Sequence, residues 1–217
     1  MTVHDFSNKN SVLSQFVAEM RNVSVQQDSM RFRKNIERIG EILSYEMSKT
    51  MLYKKEIVKT PLGEKEMMVP ENNLVVCSIL RAAIPLHNGI INFFDQAENA
   101  FISAYRHHPN DGDDFEVVVN YLASPSIEDK ILVLTDPMLA TGKTLENVLQ
   151  AFEKHGTPKQ IHIISIIGAK PGVEYVKNIF PENTHLWIAA IDDELDSRGY
   201  IVPGLGDAGD LAFGQKL

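Results

Sequence analysis

The chain has 217 residues, 44% of them apolar and 23% charged, which is enough for one substantial core and short for two enzyme-sized domains. Twenty-one Lys and Arg stand against twenty-nine Asp and Glu, and the net charge of −8 leaves no global attraction for nucleic acid or an anionic membrane. Cys77 is the only cysteine, which excludes a disulfide within the chain.

The opening MTVHDFSNKNSVLSQ lacks the basic start and apolar run of a secretory signal. No apolar run approaches the roughly 20 residues of a membrane helix, so the expectation is a soluble, reduced, cytoplasmic protein. Val12, Phe16 and Met20 suggest a first helix. Phe32, Ile36, Ile39, Leu43 and Met47 recur at spacings of four, three, four and four, one face of a second helix, with Asp28 and Ser29 as caps. TPLG at Thr60 to Gly63 is turn chemistry, and the flanking KKEIVK and EKEMMV predict a polar hairpin.

Six short apolar runs follow: LVVCSI, AFISAY, EVVVNYL, KILVLT, IHIISII and HLWIAAI. They are rich in Val and Ile at consecutive positions, as strands buried on both faces require. Helical stretches, notably Leu145 to Lys154 and Val173 to Phe180, lie between several of them. Alternation of this kind predicts an α/β fold with a mostly parallel central sheet flanked by helices.

KILVLTDPMLATGKTLENVLQAF holds the strongest functional signal. A strand over Ile131 to Leu134 runs through Thr135 and Asp136 into a short loop, and a helix starts near Thr144. Ligands bind beyond the carboxyl ends of parallel strands, and a helix start offers free N–H groups and a positive dipole end to an anion. Thr141, Gly142 and Thr144 can wrap a phosphate, and the Asp136 carboxylate suits two vicinal sugar hydroxyls. Together they suggest a phosphorylated pentose. ATGKT is not a nucleotide-triphosphatase P-loop, because the glycine required five positions before Gly142 is Pro137. Near the C-terminus, Gly199, Gly204, Gly206, Gly209 and Gly214 alternate with Pro203, Leu205 and Phe213, which reads as an ordered loop approaching something closely.

TDPMLATGKT resembles the phosphoribosyl diphosphate loop of the uracil phosphoribosyltransferase family, and YIVPGLGDAGDLAFG is similar to its uracil-binding loop. SILRAAIPLHNGI resembles the pyrophosphate-binding strand and loop, SAYR the following arginine segment, IGAKPGVEYV the alanine-proline-glycine turn and FRKNIERIGEILSYE the N-terminal helix. The likeness runs collinearly from about Met20 to Gly214. It implies one phosphoribosyltransferase domain over 1–217, with N-terminal helices in 1–52, a protruding hairpin arm at 53–70 and a uracil-binding loop at 199–214.

The implied reaction converts uracil and 5-phosphoribosyl diphosphate to UMP and diphosphate, a step of pyrimidine salvage. Arg81 and Arg106 would take the diphosphate through guanidinium forks. Asp136, Pro137, Met138, Leu139, Ala140, Thr141, Gly142, Lys143 and Thr144 would bind the ribose and its 5-phosphate. Ile201, Gly206 and Ala208 would present backbone groups to the uracil edge, and Asp207 a carboxylate near both base and metal. Mg²⁺ is expected on the diphosphate and ribose oxygens, with few or no protein ligands. The hairpin implies a homodimer or higher assembly, and some relatives are activated by GTP. Departures from the family pattern are Lys143 in place of glycine, Ala83 and Pro85 in the pyrophosphate loop, and Leu211 in place of a basic residue. A non-catalytic sensor of phosphoribosyl diphosphate, or a transferase for another base, are the alternatives.

Three further signals read as structural. His107 and His108 are adjacent and converge poorly on one metal, Asp192, Asp193 and Glu194 read as a solvated turn, and Cys77 as a small buried side chain.

Overall fold

Strands apolar at every position need cover on both faces, and the chain supplies it. The computed structural model describes residues 1–107 and 116–216, with backbone alone at 104–107 and 116–119. The central sheet runs, edge to edge, β1 (Thr2–Asp5), β10 (Thr184–Asp192), β9 (Gln160–Ala169), β7 (Ile131–Thr135), β4 (Leu74–Leu80), β5 (Glu98–His107) and β6 (Glu116–Ala123). Short β8 (Met138–Leu139) adds to β9, and every pairing is parallel except β5 with β6. β4 and β7 are buried along almost their whole length.

Helices α1 (Val12–Arg21), α2 (Ser29–Ser48), α3 (Ile84–Ile91) and α6 (Ala208–Phe213) bury their apolar sides against one sheet face. α4 (Lys143–Phe152) and α5 (Lys170–Ile179) cover the other. From β4 the chain moves outward through α3 to β5 and β6. It then returns to the opposite side of β4 as β7 and moves outward again through α4 to β9 and β10. The winding therefore reverses between β4 and β7, and their carboxyl ends open a crevice.

α2 follows its expected pattern: Phe32, Ile36, Ile39, Leu43 and Met47 are fully buried and the Asp28 carboxylate caps the Arg31 amide. α1 sits one residue off expectation. Leu13, Val17 and Met20 face the core, while Val12 is 62% exposed. Phe16 only flanks the core, under the Arg38 guanidinium. Two equally apolar lines one residue apart run along this helix, and packing on α2 selects between them.

The hairpin forms as read, β2 (Tyr53–Thr60) with β3 (Gly63–Pro70), closing at Thr60 opposite Gly63. Nearly all of it is exposed. β1, α3 and the helix α6 inside the glycine-rich stretch were not anticipated. Pro85 lies in the first turn of α3, where its missing N–H costs nothing. Cys77 is fully buried and burial pushes its thiol up to about 12, so it is the inert core residue expected. Among the described residues no helix is long and apolar enough to cross a membrane.

β1 docks through rings. His4 stacks on Trp187 at 3.7 Å and lies 3.0 Å, nitrogen to nitrogen, from His185. Trp187 Nε1 donates to His162 Nδ1 at 3.0 Å, while the other His162 nitrogen has no partner among the described residues. Burial, then the neighbouring His185 and His4, lowers the His162 pKa to about 3. Below pH 6.5 the unfolded chain takes up a proton that the folded chain refuses until about pH 3, so this residue makes stability fall as pH falls across that window. His162→Asn keeps an acceptor for Trp187 and removes the titration. The slope of unfolding free energy against pH, from urea melts between pH 6.5 and 4, is expected to drop by up to about one proton in the variant. An unchanged slope contradicts this assignment.

Candidate active site at the β4–β7 crevice

The loop after β7 is held by backbone before any ligand arrives. Asp136 N donates to Ile164 O at 3.2 Å, Ser165 Oγ donates to Asp136 O at 2.7 Å, and Pro137 O accepts from the Ile166 and Ile167 amides at 3.0 Å. One Asp136 carboxylate oxygen accepts from the Met138 amide at 3.2 Å. Met138 and Leu139 form β8, and Ala140 is buried. Thr141 Oγ1 accepts from the Lys143 amide at 3.4 Å, and Thr144 is half-buried in the first turn of α4.

Gly142 caps α4 at φ +81° without a side-chain hydrogen bond. A Cβ there would lie 2.9 Å from both Tyr175 and Val176, so the position demands glycine for conformation and for space. Lys143, where the family's glycine is missing, is not among the positive-φ residues and is exposed. This loop thus keeps glycine at its left-handed position, and the lysine is accommodated without strain. α5 props the loop from below, where a Cβ on Gly172 would meet Ala140 O at 1.9 Å. Tyr175 Oη donates to Glu146 on α4 at 2.6 Å, and that bond holds the phenol's proton above its usual range.

Across the crevice, Arg81 follows β4 directly, and the Leu80–Arg81 peptide is cis. Its Nη2 donates to Gly214 O at 3.0 Å and reaches Asp210 at 3.4 Å, with the side chain 40% exposed. An ion pair so long and so wet holds little energy. Ala82 lies beside Gly209 of α6. The loop after β4 and the C-terminal segment therefore meet, and Arg81 is the side chain between them. Arg106 lies near the carboxyl end of β5 opposite Val117, three residues past Ser103, which pairs with Leu80. Its side chain and that of His107 are outside the description, and His108 lies outside the described residues.

The C-terminal segment starts as β12 (Ile201–Val202), antiparallel to β11 (Glu194–Leu195). Ile201 is buried, and Gly204 turns so tightly over it that a Cβ would sit 2.1 Å from Ile201 O. Gly206 has φ +91° and Ala208, buried, begins α6. Asp207 caps that helix, accepting from the Asp210 amide at 2.9 Å, while its second oxygen faces Lys216 at 3.7 Å. Among the described residues no three His, Cys, Asp or Glu side chains gather as a metal cage. The loop after β7 carries the Asp136 carboxylate, and the C-terminal segment those of Asp207 and Asp210.

A brace was missed by sequence reasoning. Arg21, the last residue of α1, forms a two-pronged ion pair with Asp192 at 2.7 Å on each prong. Arg21 also donates to Gly204 O, and the Gly204 amide donates back to Asp192, both at 3.0 Å. Asp192 is therefore buried and paired, not the solvated turn residue expected, whereas Asp193, paired with Lys170, and Glu194 are exposed as expected. Gln26 holds Leu205 O at 3.1 Å and Arg33 holds Ala212 O at 2.6 Å. No local pattern joins residues 21 and 192, so nothing in the sequence could have paired them.

A mostly parallel sheet whose winding reverses between β4 and β7, with a loop and helix start on one side of the reversal and an arginine on the other, is a doubly wound α/β arrangement. Its likeness to known proteins makes it one of phosphoribosyltransferase type. The chain matches the profile of the family described as Uracil phosphoribosyltransferase over residues 7–215. It is 51% identical over 217 residues, all of both chains, to a uracil phosphoribosyltransferase of Porphyromonas gingivalis. To one of Pyrococcus furiosus it is 43% identical over 194 residues, covering 88% of this chain and 82% of that one. The solved structure of the AQ2163 protein from Aquifex aeolicus superposes with a TM-score of 0.87 at 29% identity, over 98% of each chain. The chain belongs to the uracil phosphoribosyltransferase family.

The brace has a direct check. Arg21→Lys keeps the charge and loses the fork, and hydrogen exchange of the Gly204 to Leu211 amides is expected to quicken about tenfold, a lost charge-assisted hydrogen bond, while α4 and α5 stay unchanged. Unaltered protection of that segment contradicts the brace.

Proposed function

We propose that the chain transfers the phosphoribosyl group of 5-phosphoribosyl diphosphate to N1 of uracil. The observation that carries this reading is the meeting of two loops on Arg81, in a chain 51% identical throughout to a uracil phosphoribosyltransferase. In the reaction the C1–oxygen bond to diphosphate breaks, the N1–C1 bond forms, and the N1 proton passes to diphosphate or solvent. Charge develops as an oxocarbenium-like sugar and a departing diphosphate, so the protein's work is positioning and charge stabilisation.

Each candidate residue has a role in that scheme. The amides from Thr141 to Thr144, at the uncapped start of α4, receive the 5-phosphate, with the Lys143 ammonium beside them. Pro137, Met138, Leu139 and Ala140 carry the loop, and Asp136 holds the ribose hydroxyls. Arg81 exchanges its weak contact with Asp210 for the diphosphate, joined by Arg106. Backbone of Ile201, Gly206 and Ala208 reads the uracil edge. Mg²⁺ bound with the diphosphate would supply neutralising charge, and Asp207 would be the carboxylate that helps to hold it.

A phosphorylated sugar that does not cross membranes places the work in the cytoplasm, in pyrimidine salvage. The exposed hairpin, with Ile57 67% and Leu62 100% exposed, supports a homodimer formed by the arms. GTP activation, known in some relatives, is read in the same assay.

The test is UMP formation from uracil, 5-phosphoribosyl diphosphate and Mg²⁺, beside cytosine, orotate and hypoxanthine, on protein sized by light scattering. Turnover with uracil alone, by a species of at least twice the chain mass, is expected. Binding of 5-phosphoribosyl diphosphate without turnover on any base indicates a sensor instead. Asp207→Asn isolates the carboxylate's charge, because asparagine caps a helix as well as aspartate does. Turnover is expected to fall about a hundredfold, and near-normal turnover removes Asp207 from the chemistry.

A further inference from the structure

Beneath the crevice runs a line of buried polar side chains to which the scheme above gives no task. Ser78 and Thr135 are register partners on β4 and β7, both fully buried, with hydroxyl oxygens 2.9 Å apart. His87, in the first turn of α3 and 4% exposed, brings Nδ1 to 2.7 Å from Ser78 Oγ. Asn99, exposed on β5, gives its amide nitrogen to Ala97 O at 3.1 Å and partly offsets the effect of burial on the same ring. Val76, Val133, Leu86 and Ile90 belong to the same core, so apolar side chains of similar size would fit this place well.

The line joins the elements that carry the reacting loops. Ser78 lies three residues before Arg81, Thr135 immediately precedes Asp136, and His87 stands on the helix that begins where the Arg81 loop ends. One hydroxyl, Ser78 Oγ, thus ties α3 and β7 to β4. In the tautomer with the proton on Nε2, Nδ1 accepts from Ser78 and Ser78 accepts from Thr135; in the other tautomer both bonds run the opposite way. Burial lowers the His87 pKa and so favours the neutral ring. Among the described residues the groups facing the ring are uncharged: Ser78 from β4, Thr135 behind it from β7, Asn99 and Phe101 from β5. Glu37 and Glu41 of α2 turn instead to Asn92, beyond the far end of α3.

We propose that Ser78, His87 and Thr135 are positioning residues for phosphoribosyl transfer. Their hydrogen bonds lock the loop after β4 to the loop after β7, and so fix the distance between the groups that hold the diphosphate and those that hold the ribose. The proposal rests on the functional reading above and concerns how its two halves are kept in register.

The decisive variant is the triple Ser78→Ala, His87→Leu, Thr135→Val. It removes donors and acceptors together and leaves no orphan of the three in the core. Far-UV circular dichroism and thermal melting report its folding, and steady-state kinetics with calorimetry of 5-phosphoribosyl diphosphate report the site. The expected result is a folded protein whose kcat falls about tenfold or more, with weaker 5-phosphoribosyl diphosphate binding and an unchanged KM for uracil. Kinetics and binding within about twofold of wild type in the folded variant overturn the proposal and leave the line a packing feature. If the triple variant does not fold, two single variants decide. His87→Asn retains an acceptor for Ser78 and is expected to recover activity that His87→Leu loses, whereas equal activities overturn the proposal. A wild-type chain that makes no UMP counts against the functional reading alone, and the binding comparison still judges the network.

Discussion

β4 and β7 run side by side in parallel register while the chain leaves them in opposite directions, and the site depends on that arrangement. Ser78 faces Thr135, so Arg81 and Asp136 emerge within a few residues of each other at one edge. Had the winding continued one way, a crossover helix would cover that edge. Because α3 and α4 leave to opposite faces, the edge stays open and each loop is followed at once by a helix start. Both strands are buried along almost their whole length, which makes them a stable mount for the loops that follow.

The C-terminal segment is positioned by a different device. Glycines give it tight turns and deny it stiffness, and α6 is too short to stand alone. Rigidity comes from outside, through Arg21, Gln26 and Arg33 on or between the N-terminal helices. A fork of two hydrogen bonds to a 9% exposed carboxylate, each partner also bonded to Gly204, satisfies most of what burial would otherwise leave unpaired. The N-terminal helices are thereby part of the site, although they contribute no residue to the ligand in the scheme proposed.

How much could be read from sequence follows from how local each signal is. Consecutive apolar residues betray doubly covered strands, and Phe32 to Met47 betray α2, because both patterns repeat within a few residues. Strand β7, the loop after it and helix α4 were legible because Ile131 to Thr135, Gly142 and the apolar positions of α4 stand in one continuous run. β1 was not, since the four residues TVHD carry no period and dock only because Trp187 offers a ring to His4. Arg21 with Asp192 and Ser78 with Thr135 and His87 were equally hidden. Their partners lie far apart in the chain or on different elements, and only the parallel order of the sheet brings them together.

A crystal structure with ribose 5-phosphate bound tests the central claim most directly, because it asks where the phosphate goes with no catalysis involved. The account predicts the phosphate on the amides of Thr141 to Thr144 and the ribose hydroxyls at Asp136, in the crevice between β4 and β7. A phosphate seated anywhere else on the sheet, with those amides bare, contradicts it.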